Sequence, residues 1–194
     1  MRIGITGGIG SGKTYVCRLL EQQLGVPLYD CDREAKRLMH SSPELRRQLS
    51  ALVGAEVYDA DGHLDKAVMS RYLFADAAHA ARVNAIVHPA VKADFLAWAV
   101  QQATDVLMES AILVEAGMRD SIDCLVVVEA PLELRIERAM RRDAASRQQV
   151  EARIRQQMPA EELRNYADFI VMNDGRDLLP QLDPIVNKTL SIIH

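Results

Sequence analysis

The run Gly7-Gly8-Ile9-Gly10-Ser11-Gly12-Lys13-Thr14 constrains this chain more than any other feature. Its glycines let backbone N–H groups turn inward, with no side chain to block an approaching phosphate oxygen. Lys13 is a point cation with reach to the β- and γ-phosphates, and the Thr14 hydroxyl is an oxygen ligand suited to Mg²⁺. The flanks agree with this reading. Arg2 to Thr6 (RIGIT) is short and β-branched at alternate positions, which predicts a strand. From Lys13 onward, Val16, Leu19, Leu20 and Leu24 fall on one helical face before Gly25 supplies a stop. Strand, glycine loop and helix in that order aim the positive end of the helix at the same anion. Gly8, Gly10, Ser11, Gly12, Lys13 and Thr14 are therefore expected to hold nucleotide phosphates, with Mg²⁺ on Thr14.

The rest of the chain continues as alternating strands and helices. Val26 to Tyr29 predicts a second strand, with helices over 32–40 and from Pro43 to about Leu52. Asp59-Ala60-Asp61-Gly62 is turn chemistry. Residues 65–103 then run as helices rich in Ala, Leu, Met and Val, with an interruption expected at His88-Pro89 and a new helix opening on the proline. Strand signals resume at 105–110 (DVLMES) and 124–128 (CLVVV), followed by a helix opened by Pro131, another over 146–158, a strand at 169–172 (FIVM) and a helical tail from Asp177. This pattern predicts an α/β protein with a central parallel sheet: a three-layer P-loop NTPase fold over 1–194. A helical substrate-binding insertion is expected at about 60–104 and a helical lid at about 138–160.

Composition excludes several classes. Apolar residues make up 49% of the 194 residues, too many for a disordered chain. The longest apolar run, Phe95 to Val100, has six residues against the roughly 20 a membrane span needs. Ile3 and Ile5 are the sole large apolar residues before the glycines, so no signal peptide and a cytoplasmic location are expected. Cys17, Cys31 and Cys124 form no CxxC pair and fit reduced thiols. The five histidines lack HxxxH spacing, which argues against zinc. A net charge of −4 argues against nucleic-acid partners. Its distribution is uneven: residues 135–164 carry eight arginines, no lysine and five acids, a local balance of +3.

The phosphate loop leaves the job open, and other residues narrow it. Asn187-Lys188-Thr189-Leu190 ends in Leu where a GTPase base-reading motif needs Asp. Leu107-Met108-Glu109-Ser110 and Val127-Val128-Glu129 end in Glu and are poor versions of a Walker-B strand. Asp30-Cys31-Asp32 follows the second predicted strand, where ligands bind in parallel α/β sheets. One of these carboxylates could take the proton of an attacking hydroxyl; an Asp before a helix is equally an ordinary N-cap. Arg138 and Arg142 stand one helical turn apart, and a lid carrying them could close over a transferring phosphoryl group. Arg142 is the favoured member of the pair. A small-molecule kinase fits these features better than a nucleotide-dependent switch or binding module.

The run IGITGGIGSGKT, the DxD at 30–32 and Asn84-Ala85-Ile86-Val87-His88-Pro89 together resemble dephospho-coenzyme A kinases. So do Ala111-Ile112-Leu113-Val114-Glu115, the stretch from Arg138 to Asp143, and Ala167-Asp168-Phe169-Ile170-Val171-Met172-Asn173. These occur in the family's order over nearly the whole chain. The resemblance implies ATP-dependent phosphorylation of the ribose 3′-hydroxyl of dephospho-CoA, the last step of CoA synthesis, with a CoA-binding helical part and a mobile lid. It selects Asp32 over Asp30 as the base, beside Lys13 and Arg142 as the other catalytic residues. ATP contacts would come from the loop, Tyr15, Arg142 and Asn173; substrate contacts from Thr6, Asp32, Asn84, His88, Lys92 and Glu115. A lone His before a proline is ordinarily structural, and the family motif is what assigns His88 to the substrate. Two positions depart from the pattern: Ala111 stands in a proline's place, and Lys92 in an arginine's, which loses two-point phosphate geometry. Another P-loop small-molecule kinase, such as a nucleoside monophosphate kinase, is the alternative.

Overall fold

A computed structural model describes residues 1–190. In chain order the elements are β1 Arg2–Thr6, α1 Lys13–Leu24, β2 Leu28–Asp30, α2 Cys31–Ser41, α3 Pro43–Val53, α4 Lys66–Leu73 and α5 Ala77–Gln101. There follow β3 Val106–Glu109, β4 Cys124–Glu129, α6 Leu132–Asp143, α7 Arg147–Arg155, α8 Ala160–Arg164, β5 Phe169–Met172 and α9 Leu179–Leu190. The strands form one parallel sheet in the order β2-β3-β1-β4-β5, so β1 lies at its centre. No helix among the described residues is long and apolar enough to cross a membrane.

Alternation along the strands decides which side chains each face buries. Ile3 and Ile5 of β1, Leu107 of β3, Val126 and Val128 of β4 and Val171 of β5 join Val16, Cys17 and Leu20 of α1 and Leu182 and Ile185 of α9 in one core. Gly4 faces the other way, and a Cβ there would meet Ile122 and Leu113 at 2.4 and 2.9 Å. The inner strands β1 and β4 are thus covered on both faces, as parallel strands require, while Ile170 of edge strand β5 stays exposed. A smaller core of Ile136, Ala139 and Val150 joins α6 to α7, and Ile9 of the glycine loop packs against it.

The chain divides into two compact units, one formed by 1–30 with the chain from Ala99 onward, the other by Cys31–Trp98. The first contains the sheet and the glycine loop. The second is helical, spans Cys31–Trp98, and holds α2, α3, α4 and most of α5.

Most predicted elements are present within two or three residues; three differences have physical causes. The expected break at His88-Pro89 is absent: α5 runs through Pro89 without interruption. Val83, Val87, Val91 and Phe95 are all buried at four-residue spacing, so one stripe keeps its phase across the proline. Packing along that stripe outweighs the lost hydrogen bond to Ala85 and the ring clash, together about 3 kcal/mol. The short helix α8 lies in a segment too polar to show a period. The helix after Ser146 stops at Arg155 rather than Met158, because Gln157 and Met158 bond elsewhere, as described below. Pro89→Ala should restore the missing helix bond and raise stability by roughly 1–3 kcal/mol in chemical denaturation; a loss of stability would mean that the local path depends on the proline.

Candidate active site

The glycine loop joins the end of β1 to the start of α1 and is held from behind. Gly12 takes a left-handed conformation (φ +92°), and a Cβ there would lie 2.1 Å from Asn173 Nδ2. Asn173 follows β5; its Nδ2 donates to the Ser11 carbonyl oxygen at 2.9 Å, and its own N–H donates to Glu129 O at 2.7 Å. Arg138 Nη1 donates to the Asn173 carbonyl at 3.1 Å. The Thr6 and Ser11 side-chain hydroxyls are buried with no hydrogen-bond partner among the described residues. Orphaned buried hydroxyls are costly and tend to persist at functional sites.

Two side chains of α1 complete the loop. Lys13 Nζ donates to the carbonyls of Gly7 (2.8 Å) and Gly8 (3.4 Å), so the ammonium lies across the loop's own backbone. The Thr14 hydroxyl donates to Glu109 Oε1 at 2.9 Å. The β1–β3 register sets Glu109 opposite Ile5, just before the loop begins. A hydroxyl and a carboxylate at this spacing form an all-oxygen donor pair, the chemistry Mg²⁺ selects. Thr14 and Glu109 therefore fit that ion. Glu109 also shapes the thiol below it: burial first, then the Glu109 charge, pushes the Cys17 pKa strongly up and keeps it a thiol.

The segment leaving α7 straps the loop to the chain after β3. Gln157 Oε1 accepts from Ile9 N–H at 2.8 Å, while Gln157 Nε2 donates to Ala111 O at 3.2 Å. Met158 N–H donates to Glu115 at 3.1 Å, so one expected substrate residue, Glu115, is engaged with this strap. Glu129, at the end of β4, is buried and accepts hydrogen bonds from Nε and Nη2 of Arg164 at 2.7 and 2.6 Å.

Tyr15 is exposed on α1. Arg142 does not share Arg138's direction: its side chain is 60% exposed and its guanidinium pairs with Asp143 at 2.7 and 3.0 Å. Hydrogen bonds from Arg142 and then Arg153 hold the Asp143 carboxyl well below the usual carboxylate range. Asp30 ends β2 and Asp32 stands in the first turn of α2. In the helical unit, Asn84, His88 and Lys92 are spaced by four and share one face of α5, Asn84 exposed and the other two half-buried. Burial pushes the His88 pKa down, so the imidazole is neutral at pH 7.

Comparison with known proteins decides the family. The family model described as dephospho-CoA kinase matches residues 1–178. A Bacteroides fragilis protein of that name is 48% identical over 197 residues, covering all of this chain and 95% of the relative. The chain belongs to the dephospho-CoA kinase family. A Thermus thermophilus crystal structure superposes with a TM-score of 0.81 at 33% identity, covering all of this chain and 98% of that one. A Campylobacter jejuni dephospho-CoA kinase shares the fold, with a TM-score of 0.66 at 20% identity over 99% of this chain and 96% of its own.

Sequence reasoning passed over three residues that the structure puts at the loop of this family member. Glu109 was legible as the acidic end of an apolar strand, although it looked like a poor Walker-B match. Arg135 was one arginine among eight in its segment. Gln157 carries no periodic or motif signal at all. Burial of His88 disfavours its charged form. Because the folded-state pKa is depressed, stability is full above the ordinary value of 6.5 and declines as pH falls through and below it. His88→Gln should flatten that acid-side decline in thermal melts between about pH 7 and pH 5.

Proposed function

We propose that this protein is an ATP-dependent kinase that phosphorylates the ribose 3′-hydroxyl of dephospho-CoA, giving CoA and ADP. The observation that carries the reading is a complete phosphate loop, with Lys13 and Thr14 in place, in a chain matched by one kinase family over residues 1–178. Kinases of this family use ATP, and the loop's glycines and the amino end of α1 suit its phosphates. The reading places the enzyme in the cytoplasm, with its thiols reduced and neither nucleic acid nor membrane as a partner.

In the proposed mechanism the phosphates lie along Gly8 to Thr14, with Asn173 holding the loop and Tyr15 flanking it. Mg²⁺, held by Thr14 and Glu109, would supply positive charge to the phosphates when bound. Asp32 accepts the proton from the 3′-hydroxyl as that oxygen attacks the γ-phosphorus in line. The new O–P bond forms while the bond to the β,γ-bridging oxygen breaks, and ADP leaves with that electron pair. Lys13 moves from the Gly7 and Gly8 carbonyls to phosphate oxygens, and Arg142 closes over the transferring group with the lid at about 138–160. Thr6, Asn84, His88, Lys92 and Glu115 hold the acceptor, drawing on the family motif and on the shared face of α5. A neutral His88 suits donation and acceptance of hydrogen bonds rather than phosphate pairing, which falls to Lys92.

Presenting ATP with dephospho-CoA, AMP, CMP and shikimate in turn tests the acceptor. Phosphorylation of dephospho-CoA is the expected result; transfer to AMP or CMP instead would assign a nucleotide kinase. Asp32→Asn should lower kcat by about 10²-fold or more with ATP affinity nearly intact. The same loss from Asp30→Asn, with Asp32→Asn active, would reverse the assignment of the base.

A further inference from the structure

Arg135 lies in the first turn of α6, three residues before Arg138, yet its side chain takes a different course. Its Nε donates to the Ile9 carbonyl oxygen at 3.0 Å. A Cβ built on Gly8 would lie 2.0 Å from Arg135 Nη2, so glycine is what lets the guanidinium rest there. The Lys13 ammonium donates to the carbonyls of Gly7 and of this same Gly8. Two cationic side chains thus converge on the first half of the phosphate loop. The α6–α7 core holds that arrangement in place, because Ile9 packs against Ile136, Ala139 and Val150.

No acid neutralises Arg135. Glu129, the carboxylate whose field acts on it, is already engaged by Nε and Nη2 of Arg164 at 2.7 and 2.6 Å. Beyond the bond to Ile9, Arg135 makes no hydrogen bond or ion pair among the described residues. Arg135 lines a cavity of about 300 Å³ together with Gly7, Gly8, Glu129, Pro131 and Arg164. Burial works against its charge. A half-buried guanidinium without a counter-ion, near a second cation, is a standing cost that a bound anion removes. The guanidinium has five donors in a planar fork, of which Nε is used here, so the remaining edge can meet two phosphate oxygens at once.

We propose that Arg135 is a catalytic residue: its open guanidinium edge binds the terminal phosphoryl group of the nucleotide and, with Lys13, stabilises the charge on that group during transfer. This rests on the reading of the loop as the nucleotide site. Arg138 is turned instead to the Asn173 carbonyl, and Arg142 to Asp143. Of the three, Arg135 is the one already at Gly8, where the loop lysine also lies. The oxygens it faces are those of the transferring group rather than those ADP keeps, so its contribution belongs to the γ-phosphoryl group and the transition state.

Arg135→Gln and Arg135→Lys test this. Gln keeps a side-chain N–H for Ile9 but carries no charge; Lys keeps the charge without the fork. The measurements are kcat with ATP and dephospho-CoA, and calorimetric affinities for ADP and for a non-hydrolysable ATP analogue. Arg135→Gln should lower kcat about 10²-fold or more and weaken the analogue about tenfold, with ADP affinity changed less than about twofold. Arg135→Lys should recover part of the lost kcat. Near-normal kcat in Arg135→Gln, or equal weakening of ADP and analogue, would overturn the proposal and leave Arg135 as a brace for Ile9. Should the wild-type protein fail to phosphorylate dephospho-CoA, the functional reading falls, while the ADP-against-analogue comparison still decides the role of Arg135.

Discussion

The hydrogen bond from Asn173 Nδ2 to the Ser11 carbonyl, 2.9 Å long and buried, is the constraint on which the site depends. A loop whose N–H groups must stay available to an anion cannot spend all of them on the protein, so its shape has to be imposed through its carbonyls and side chains. Asn173 does this from the far edge of the sheet. The β4–β5 register leads to its N–H bonding Glu129 O at 2.7 Å, which sets the amide beside Gly12. Gly12 has no Cβ, and that lets the amide approach. Sheet pairing is thereby converted into loop geometry.

A second brace works from the opposite direction. Gln157 occupies the Ile9 N–H and reaches Ala111, while Ile9 itself, partly buried, packs against α6 and α7. The helices of the expected lid segment are thus packed against the loop rather than detached from it. Their arginines divide by partner. Arg147 pairs with Glu133 and Glu151, Arg153 and Arg142 with Asp143, and Arg164 with Glu129. The exposed pairs among these contribute little stability each. Their effect is to consume charge, so the local excess of +3 that stands out in the sequence resolves mainly into internal pairs. Arg135, without such a partner, is left with its charge directed at the loop.

Much of the fold was legible because its signals are local. The β-branched alternation of 2–6, the apolar run at 124–128 and the helical face of Val16, Leu20 and Leu24 each state one element without reference to another. The phosphate loop was legible for the same reason: eight consecutive residues carry the whole motif. Where reading failed, a distant group had won. Pro89 looked like a helix start, and the buried stripe on either side of it carried α5 through. Glu109 looked like a weak strand ending until the β1–β3 register set it beside Thr14. Arg138 and Arg142, one turn apart, share a face on helical spacing; Asn173 and Asp143 draw them apart.

By itself the sequence determined the element order, the parallel α/β class, the phosphate loop and, through its ordered motifs, the family. These follow from short-range periodicity, glycine and proline chemistry, and the identity of adjacent residues. Tertiary structure alone decided the strand order 2-3-1-4-5, the pairing of Thr14 with Glu109, the bracing of the loop by Asn173 and Gln157, and which arginine rests on Gly8. The physical reason is separation along the chain. The Thr14–Glu109 contact joins residues 95 apart, and Asn173–Ser11 residues 162 apart. No local pattern encodes such a meeting; sheet register and core packing bring it about.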